Sequence, residues 1–395
     1  MTNDKILLGD HPVETTPETF ASLGLSAGLL QSISDIGFQH PSPIQAAAIP
    51  LALQGHDIIG LAQTGSGKTA AFVLPIVEKL RHGNGLRGLI LCPTREIALQ
   101  TMAFLERFGK THDLKSVCLI GGVGLGPQIK DLKNGPDILV ATPGRLYDQI
   151  ERGHVLLNKI EYLVLDEADH MFDLGFLPII EKILRLLPKT RQSLMFSATL
   201  PTSIERLVKS HLKAPQCIDI LPKGNTAEGI QHRLYLVDWQ NKRNALIGLL
   251  NQDQGSTLVF IETKAEADFI YKILKNKGHP VALMHSDRSQ QQRVKALDNF
   301  REGSRRILLA TNIAARGIDV PGIEHVVNFD LPKTTEEYIH RAGRTARAGK
   351  TGLVSSIALP LDSAMIKTIE QTIAQKIPRC VLPGVTPYEE FVRKS

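Results

Sequence analysis

The sequence predicts an α/β protein made of two parallel-sheet domains in tandem, joined by a short linker. Three observations carry this. Short apolar, β-rich runs alternate with helical stretches, as a parallel sheet covered on both faces requires. They fall into two series, Leu89–Cys92, Ile138–Ala141, Tyr162–Leu165 and Ser193–Phe196, then Thr257–Ile261, Val281–Met284, Ile307–Ala310 and His325–Asn328. Between the series lies Leu221-Pro222-Lys223-Gly224-Asn225-Thr226, a Pro/Gly/polar segment suited to a hinge. Polar motifs also follow the runs repeatedly, where open α/β sheets bind their ligands.

The expected organisation starts with a disordered lead-in over residues 1–19 and a first domain over 20–220. A linker over 221–227, a second domain over 228–375 and a short extended tail over 376–395 complete it. The tail is read from Pro378, Pro383, Gly384 and Pro387, which punctuate any regular element.

Bulk properties exclude several classes. The 395 residues are 43% hydrophobic and 22% charged, ordinary for a soluble globular chain with full cores. No apolar run approaches the roughly 18–20 residues that span a bilayer. The segment Met1 to Phe20 lacks a basic start and an apolar stretch, so it does not read as a secretory signal. Cys92, Cys118, Cys217 and Cys380 are scattered without metal-ligand or redox spacing, which fits a reducing, cytoplasmic setting. A net charge of +6 is compatible with a polyanionic partner without demanding one.

Two elements carry the chemistry. Ala62-Gln63-Thr64-Gly65-Ser66-Gly67-Lys68-Thr69 is a phosphate loop after an apolar run. Its glycines let backbone N–H groups close around phosphate oxygens. Lys68 offers a point charge to the terminal phosphates, and the Thr69 hydroxyl can hold Mg²⁺. The strict pattern has Gly where this chain has Ala62. Asp166-Glu167-Ala168-Asp169 directly follows Tyr162–Leu165, and an acid at a buried strand end is where the second handle on that Mg²⁺ belongs. Together they predict binding and hydrolysis of a nucleoside triphosphate.

From about Phe20 to about residue 360 the chain resembles the DEAD-box ATP-dependent RNA helicases of helicase superfamily 2. The family's loop normally starts with Ala. The resemblance implies two RecA-like domains, ATP with Mg²⁺ as the nucleotide system, and RNA as the partner. Gly37 to Gln45 looks like the family's Q motif, with Phe20 at the upstream distance of its isolated aromatic. The Gln45 amide has the donor and acceptor to pair with the N6/N7 edge of adenine, and Phe20 offers apolar contact to the base. The resemblance assigns Asp166 to Mg²⁺ through water, Glu167 to orienting and deprotonating the attacking water, and Asp169 to pairing with motif residues between the domains. His340-Arg341-Ala342-Gly343-Arg344-Thr345-Ala346-Arg347 resembles the last motif. Arg344 and Arg347 stand three apart, so on a helix they would share a face and could reach the γ-phosphate as arginine fingers. His340 is expected to bridge to the tetrad or to Ser197-Ala198-Thr199, the segment expected to link the ATP and RNA sites. Asp319 is expected on the ribose.

The remaining motifs look like nucleic-acid contacts: Thr94, Arg95, Gly121, Gly122, Thr142, Gly144 and Arg145 in the first domain, and Thr263, Gln290, Arg293 and Thr311 in the second. Glycines, hydroxyls and helix N-termini admit phosphates, so backbone recognition with little sequence preference is expected. Gly124 and Gly126 extend the first glycine pair, which a plain loop explains equally well. Asn312 and Ser286 depart from the commonest family residues, away from the phosphate chemistry. The reading is a monomeric, minimal RNA-dependent ATPase that separates short duplexes, with protein partners unspecified. The alternatives are an ATP-gated RNA clamp and a superfamily 2 DNA helicase.

Overall fold

The computed structural model describes residues 19–62, 65–80, 82–83, 85–220, 229–312, 322–346 and 351–388, with the side chains of Thr111, Thr202, Ser203 and Gln290 left aside. The chain divides into two compact units at Leu221–Pro222, within the break in the sequence pattern. The linker expected at 221–227 and residues 1–18 of the expected lead-in lie outside the described residues.

The first unit is built on a parallel sheet of β1 (Ile58–Leu61), β2 (Gly88–Leu91), β3 (Ser116–Leu119), β4 (Ile138–Ala141), β5 (Tyr162–Leu165), β6 (Gln192–Ser197) and β7 (Gln216–Asp219). The order is β3-β4-β2-β5-β6-β1-β7. Successive residues of a strand point to opposite faces. Ile90 and Val164 therefore feed one core, with Phe72, Ile44 and Phe196. Their neighbours Leu89, Leu91, Leu163 and Leu165 feed the other, with Met171 and Ile180. Burial on both faces is why these strands read as unbroken apolar runs.

The second unit repeats the plan with β8 (Ile230–Leu236), β9 (Thr257–Ile261), β10 (Val281–Met284), β11 (Ile307–Thr311), β12 (His325–Asn328) and β13 (Gly352–Ala358). All pairings are again parallel, in the order β10-β11-β9-β12-β13-β8. Leu258 and Phe260 face one core, Val259 and Ile261 the other.

The tail expected from residue 376 is, through residue 388, part of this second unit. Leu234 N–H donates to Pro378 O at 2.9 Å, Cys380 N–H to Leu234 O at 2.8 Å and Tyr388 N–H to Leu236 O at 3.2 Å, so the segment runs along the β8 edge. Ile377, Leu382 and Val385 are buried there. Its prolines exclude a regular strand, yet an edge strand needs its open backbone groups covered. No helix among the described residues is long and apolar enough to cross a membrane.

Candidate functional site

Strand order sorts the candidate residues of the first unit into two groups. β5, β6 and β1 are neighbours, and from their carboxyl ends come the acidic tetrad, Ser197-Ala198-Thr199 and the phosphate loop. β3, β4 and β2 are neighbours too, and they deliver Gly121-Gly122, Thr142 to Arg145, and Thr94-Arg95.

The phosphate loop is engaged with its own surroundings. Gly65 and Gly67 have φ of 84° and 94°, the left-handed region that favours glycine. Lys68 is buried and its Nζ donates to Ala62 O at 3.0 Å. The Ala62 N–H is tied to Ser197 O of β6 at 3.0 Å. Gln45, on the helix Pro43–Leu53, accepts from Ser42 N–H at 2.9 Å through Oε1. Its Nε2 donates to Gly67 O at 3.1 Å. The amide expected at adenine thus reads the loop's backbone in this state. Thr69 sits in the first turn of the helix Lys68–Lys79. Gln63 and Thr64 lie outside the described residues.

Phe20 is only 4% exposed and stacks on Phe38, with ring centroids 6.4 Å apart. Phe38 keeps 36% exposure, so it presents the aromatic surface and Phe20 supports it from the core. The sequence gives no periodic signal for this pairing, because Phe20 opens a four-residue 3-10 helix and Phe38 lies in an irregular segment.

Asp166 is buried, and its Oδ1 has no hydrogen-bond partner among the described residues. Burial pushes its carboxyl up to about 7, against the pull of the Lys68 ammonium and with a further push from the Glu167 carboxylate. A cation beside it would restore the charged form. Ser66 Oγ is likewise buried without a partner. An orphaned carboxylate oxygen that feels the Lys68 charge, together with the hydroxyl of Thr69 next in the chain, is the kind of hard-oxygen donor that Mg²⁺ takes, so the residues present fit that ion.

Glu167 has φ 48° and ψ 57°, a left-handed conformation that costs a non-glycine residue roughly 1–2 kcal/mol. Such strain concentrates at functional positions. Its Oε2 lies 3.2 Å from His170 Nδ1. Asp169 is held through its own unit: its Oδ2 accepts from Ala198 N–H (3.1 Å), Thr199 N–H (3.0 Å) and Thr199 Oγ1 (3.1 Å). Ser197 Oγ accepts from Asp169 N–H at 3.2 Å and donates to Thr199 O at 2.7 Å. The partners shown for Asp169 are therefore in the first unit, where the sequence reading looked between domains.

In the second group, Thr94 caps the helix Arg95–Gly109, its Oγ1 accepting from Ile97 N–H at 3.4 Å. The Arg95 guanidinium lies against Gly121-Gly122, where a Cβ on Gly122 would fall 1.9 Å from Nη1. Arg145 Nη1 donates to Val123 O at 3.1 Å, while Thr142 stands at the N-cap position of the helix Pro143–Glu151 without a side-chain capping bond and Gly144 opens on free space. Two helix N-termini thus stand beside two arginines, an arrangement made for phosphate.

In the second unit Thr263, Thr311 and Arg293 gather at the carboxyl ends of β9, β11 and β10, again three adjacent strands. Thr263 caps the helix Lys264–Asn276 and Arg293 is mostly buried on the helix Gln290–Arg301. The side chain of Gln290, and Asp319 and Arg347 entirely, lie outside the described residues. The shared helical face expected for Arg344 and Arg347 is corrected. The helix runs Thr335–Ala342 with Gly343 as its C-cap, so Arg344 lies past its end. Arg344 N–H bonds Arg341 O and Thr345 N–H bonds Ala342 O, both at 3.1 Å, tightening the exit into a turn. His340 is half-buried on the last helical turn. Arg341 is buried, with Nη2 on Glu337 Oε1 and Nη1 on Asn328 Oδ1, each at 2.9 Å, so it fixes this helix to β12.

Comparison with known proteins supplies the context. The DEAD/DEAH box helicase family matches residues 42–207, and the helicase conserved C-terminal domain matches residues 241–349. The DEAD-box ATP-dependent RNA helicase CshA of Bacillus cereus is 43% identical over 367 residues, 92% of this chain and 70% of that protein. Among solved structures, S. cerevisiae Dbp5 bound to RNA and ADP BeF3 aligns with a TM-score of 0.83 and 31% identity, covering 95% of this chain and 97% of that one. Mss116p bound to ssRNA and AMP-PNP aligns with a TM-score of 0.83 and 27% identity, covering 94% and 79%.

Proposed function

The chain belongs to the DEAD-box ATP-dependent RNA helicases, ATP hydrolases acting on RNA with two RecA-like domains, and from that premise we propose a residue-level mechanism. ATP binds across the carboxyl ends of β5, β6 and β1. Lys68 leaves Ala62 O for the terminal phosphates, and Gln45 turns its amide to the adenine edge, with Phe38 against the base and Phe20 packed behind it. Thr69 and Asp166 would hold Mg²⁺, whose charge would offset that of the phosphates. Glu167 orients a water and takes its proton as the water oxygen attacks the γ-phosphorus; the bond to ADP breaks and ADP leaves with the electron pair. Asp319 contacts the ribose.

RNA lies across Thr94, Arg95, Gly121, Gly122, Thr142, Gly144 and Arg145 of the first unit and Thr263, Gln290, Arg293 and Thr311 of the second. ATP and single-stranded RNA together favour a closed arrangement of the two units, a population shift by differential affinity. Closure brings Arg344 and Arg347 to the γ-phosphate. A duplex is opened locally because the closed form accepts one strand, and RNA–protein complexes are remodelled by the same step. Asp169 and Ser197-Ala198-Thr199, with His340, transmit the state of the nucleotide.

The observation that carries this reading is the buried Oδ1 of Asp166, the first residue of the tetrad, which has no hydrogen-bond partner among the described residues. Glu167→Gln tests it. ATP and RNA should both still bind, hydrolysis should stop, and the RNA complex should outlast that of the parent protein. Continued turnover with fast RNA release removes Glu167 from the role. Stimulation by RNA but not by DNA of the same sequence separates the proposal from a DNA helicase.

A further inference from the structure

We propose that His170 is a positioning residue that holds the Glu167 carboxylate in place for hydrolysis, an inference that rests on the assignment of Glu167 as base. Glu167 is the N-cap of the short helix Ala168–Asp173. An N-cap side chain ordinarily turns back to accept from the second or third backbone N–H of its helix. Here both donors are taken. The Asp169 N–H is bound to Ser197 Oγ at 3.2 Å, and the His170 N–H to Asp169 Oδ1 at 2.9 Å. The Glu167 carboxylate is therefore relieved of capping and meets the His170 ring instead, Nδ1 to Oε2 at 3.2 Å.

Both side chains are buried, Glu167 at 8% and His170 at 4% exposure, so the contact is not loosened by bulk water. A carboxylate only accepts, so Nδ1 carries the proton and donates. His170 Nε2 is buried and has no partner among the described residues. The ring is thus aimed by its one hydrogen bond to the carboxylate. With Oε2 held by the ring, rotation of the carboxylate is restricted. A base displaced by about 1 Å can lose on the order of 10²-fold in rate. The backbone at Glu167 adds to the case, since its left-handed φ fixes the side chain's exit direction.

The test compares His170→Phe, which keeps a ring without a donor, with His170→Asn, whose Nδ2 stands where Nδ1 stood. RNA-stimulated hydrolysis is measured with KM for ATP and half-saturating RNA obtained separately. His170→Phe should lower kcat about ten-fold with both half-saturation values within about two-fold of the parent, and His170→Asn should stay within about three-fold in kcat. Parent-like kcat in His170→Phe overturns the inference, and so do equal losses in the two variants from whatever cause. Glu167→Gln is run alongside. If it still turns over, the base assignment has failed and the inference falls with it. If it is inactive while His170→Phe is normal, the positioning role alone is refuted.

Discussion

Substituting Gly122 with Ala isolates the seat of one arginine. Gly122 has φ +71°, and a Cβ there would lie 1.9 Å from Arg95 Nη1, 2.3 Å from Cζ and 2.5 Å from Nη2. Two effects add. The left-handed backbone costs an alanine roughly 1 kcal/mol, which for a domain of this size lowers its melting temperature by about 2–4 °C. The overlap costs little by itself, because the clashing atoms are the end of a flexible side chain, which swings away. That movement is the functional cost, since Arg95 leaves the surface between the two helix N-termini. Gly126→Ala is the control: no atom lies within 4 Å of its Cβ, and it sits in the helix Leu125–Lys133. Fluorescence anisotropy with a labelled single strand, repeated over a range of salt, reads the result. For Gly122→Ala the slope of log affinity against log salt should shrink by about 0.7, the value for one lost phosphate contact. Gly126→Ala should keep both slope and melting temperature. A folded Gly122→Ala protein with the parent slope would refute the placement of Arg95 on RNA.

Other expectations are independent of that surface. Lys68→Ala should abolish ATP binding and hydrolysis together, read by nucleotide titration and phosphate release, because Lys68 is the cation of the loop. Gln45→Ala should reduce the preference for ATP over GTP by roughly 10- to 100-fold, equivalent to about 1–3 kcal/mol, in parallel hydrolysis assays. Arg344→Ala should lower RNA-stimulated turnover on the order of 10²-fold or more with far less effect on ATP affinity. Burial lowers the pKa of His232 to about 4, where its Nδ1 meets Tyr338 Oη at 2.7 Å. The unfolded chain takes up this proton near 6.5 and the native second unit resists until about 4, so stability present above 6.5 is lost as pH falls through that window. The loss reaches on the order of 3 kcal/mol. Chemical denaturation of the parent and of His232→Phe between pH 7 and pH 4 should show a shallower decline in the variant.

The fold was legible where strands are buried on both faces. Ile138–Ala141, Tyr162–Leu165, Thr257–Ile261, Val281–Met284 and His325–Asn328 are strands with the bounds read from the sequence. Ser116–Leu119 lies at the sheet edge and alternates between partly and fully buried residues, so its apolar stretch from Val117 lacks the two-sided burial of the central strands. Ile230–Leu236 mixes exposed Gln231 and Arg233 with buried neighbours for the same reason. The phosphate loop and tetrad were legible because their chemistry fixes residue types at adjacent positions. What sequence spacing could not show were contacts between segments distant in sequence, such as Gln45 on Gly67 or Asp169 on Ala198-Thr199; His170 on Glu167 is an i,i+3 pair that only the left-handed turn at Glu167 brings into contact. The face-sharing argument for Arg344 failed at Gly343, where weak helix propensity and two turn bonds end the helix one step too early.

The self-bonded phosphate loop makes nucleotide capture an exchange. Lys68 must give up Ala62 O and Gln45 must give up Gly67 O before either group serves the ligand. Each incoming contact therefore replaces one of similar kind, and the affinity reports a difference, well below what the number of contacts suggests. Asp166 Oδ1 and Ser66 Oγ stand outside this trade, having no hydrogen-bond partner among the described residues to surrender. On the proposed reading, the amide that selects the base is engaged at rest, while the Asp166 oxygen that would meet the cation is not. Selectivity for the base and grip on the metal-bound phosphates can consequently be altered separately, by stabilising or loosening the resting bonds of Gln45 alone.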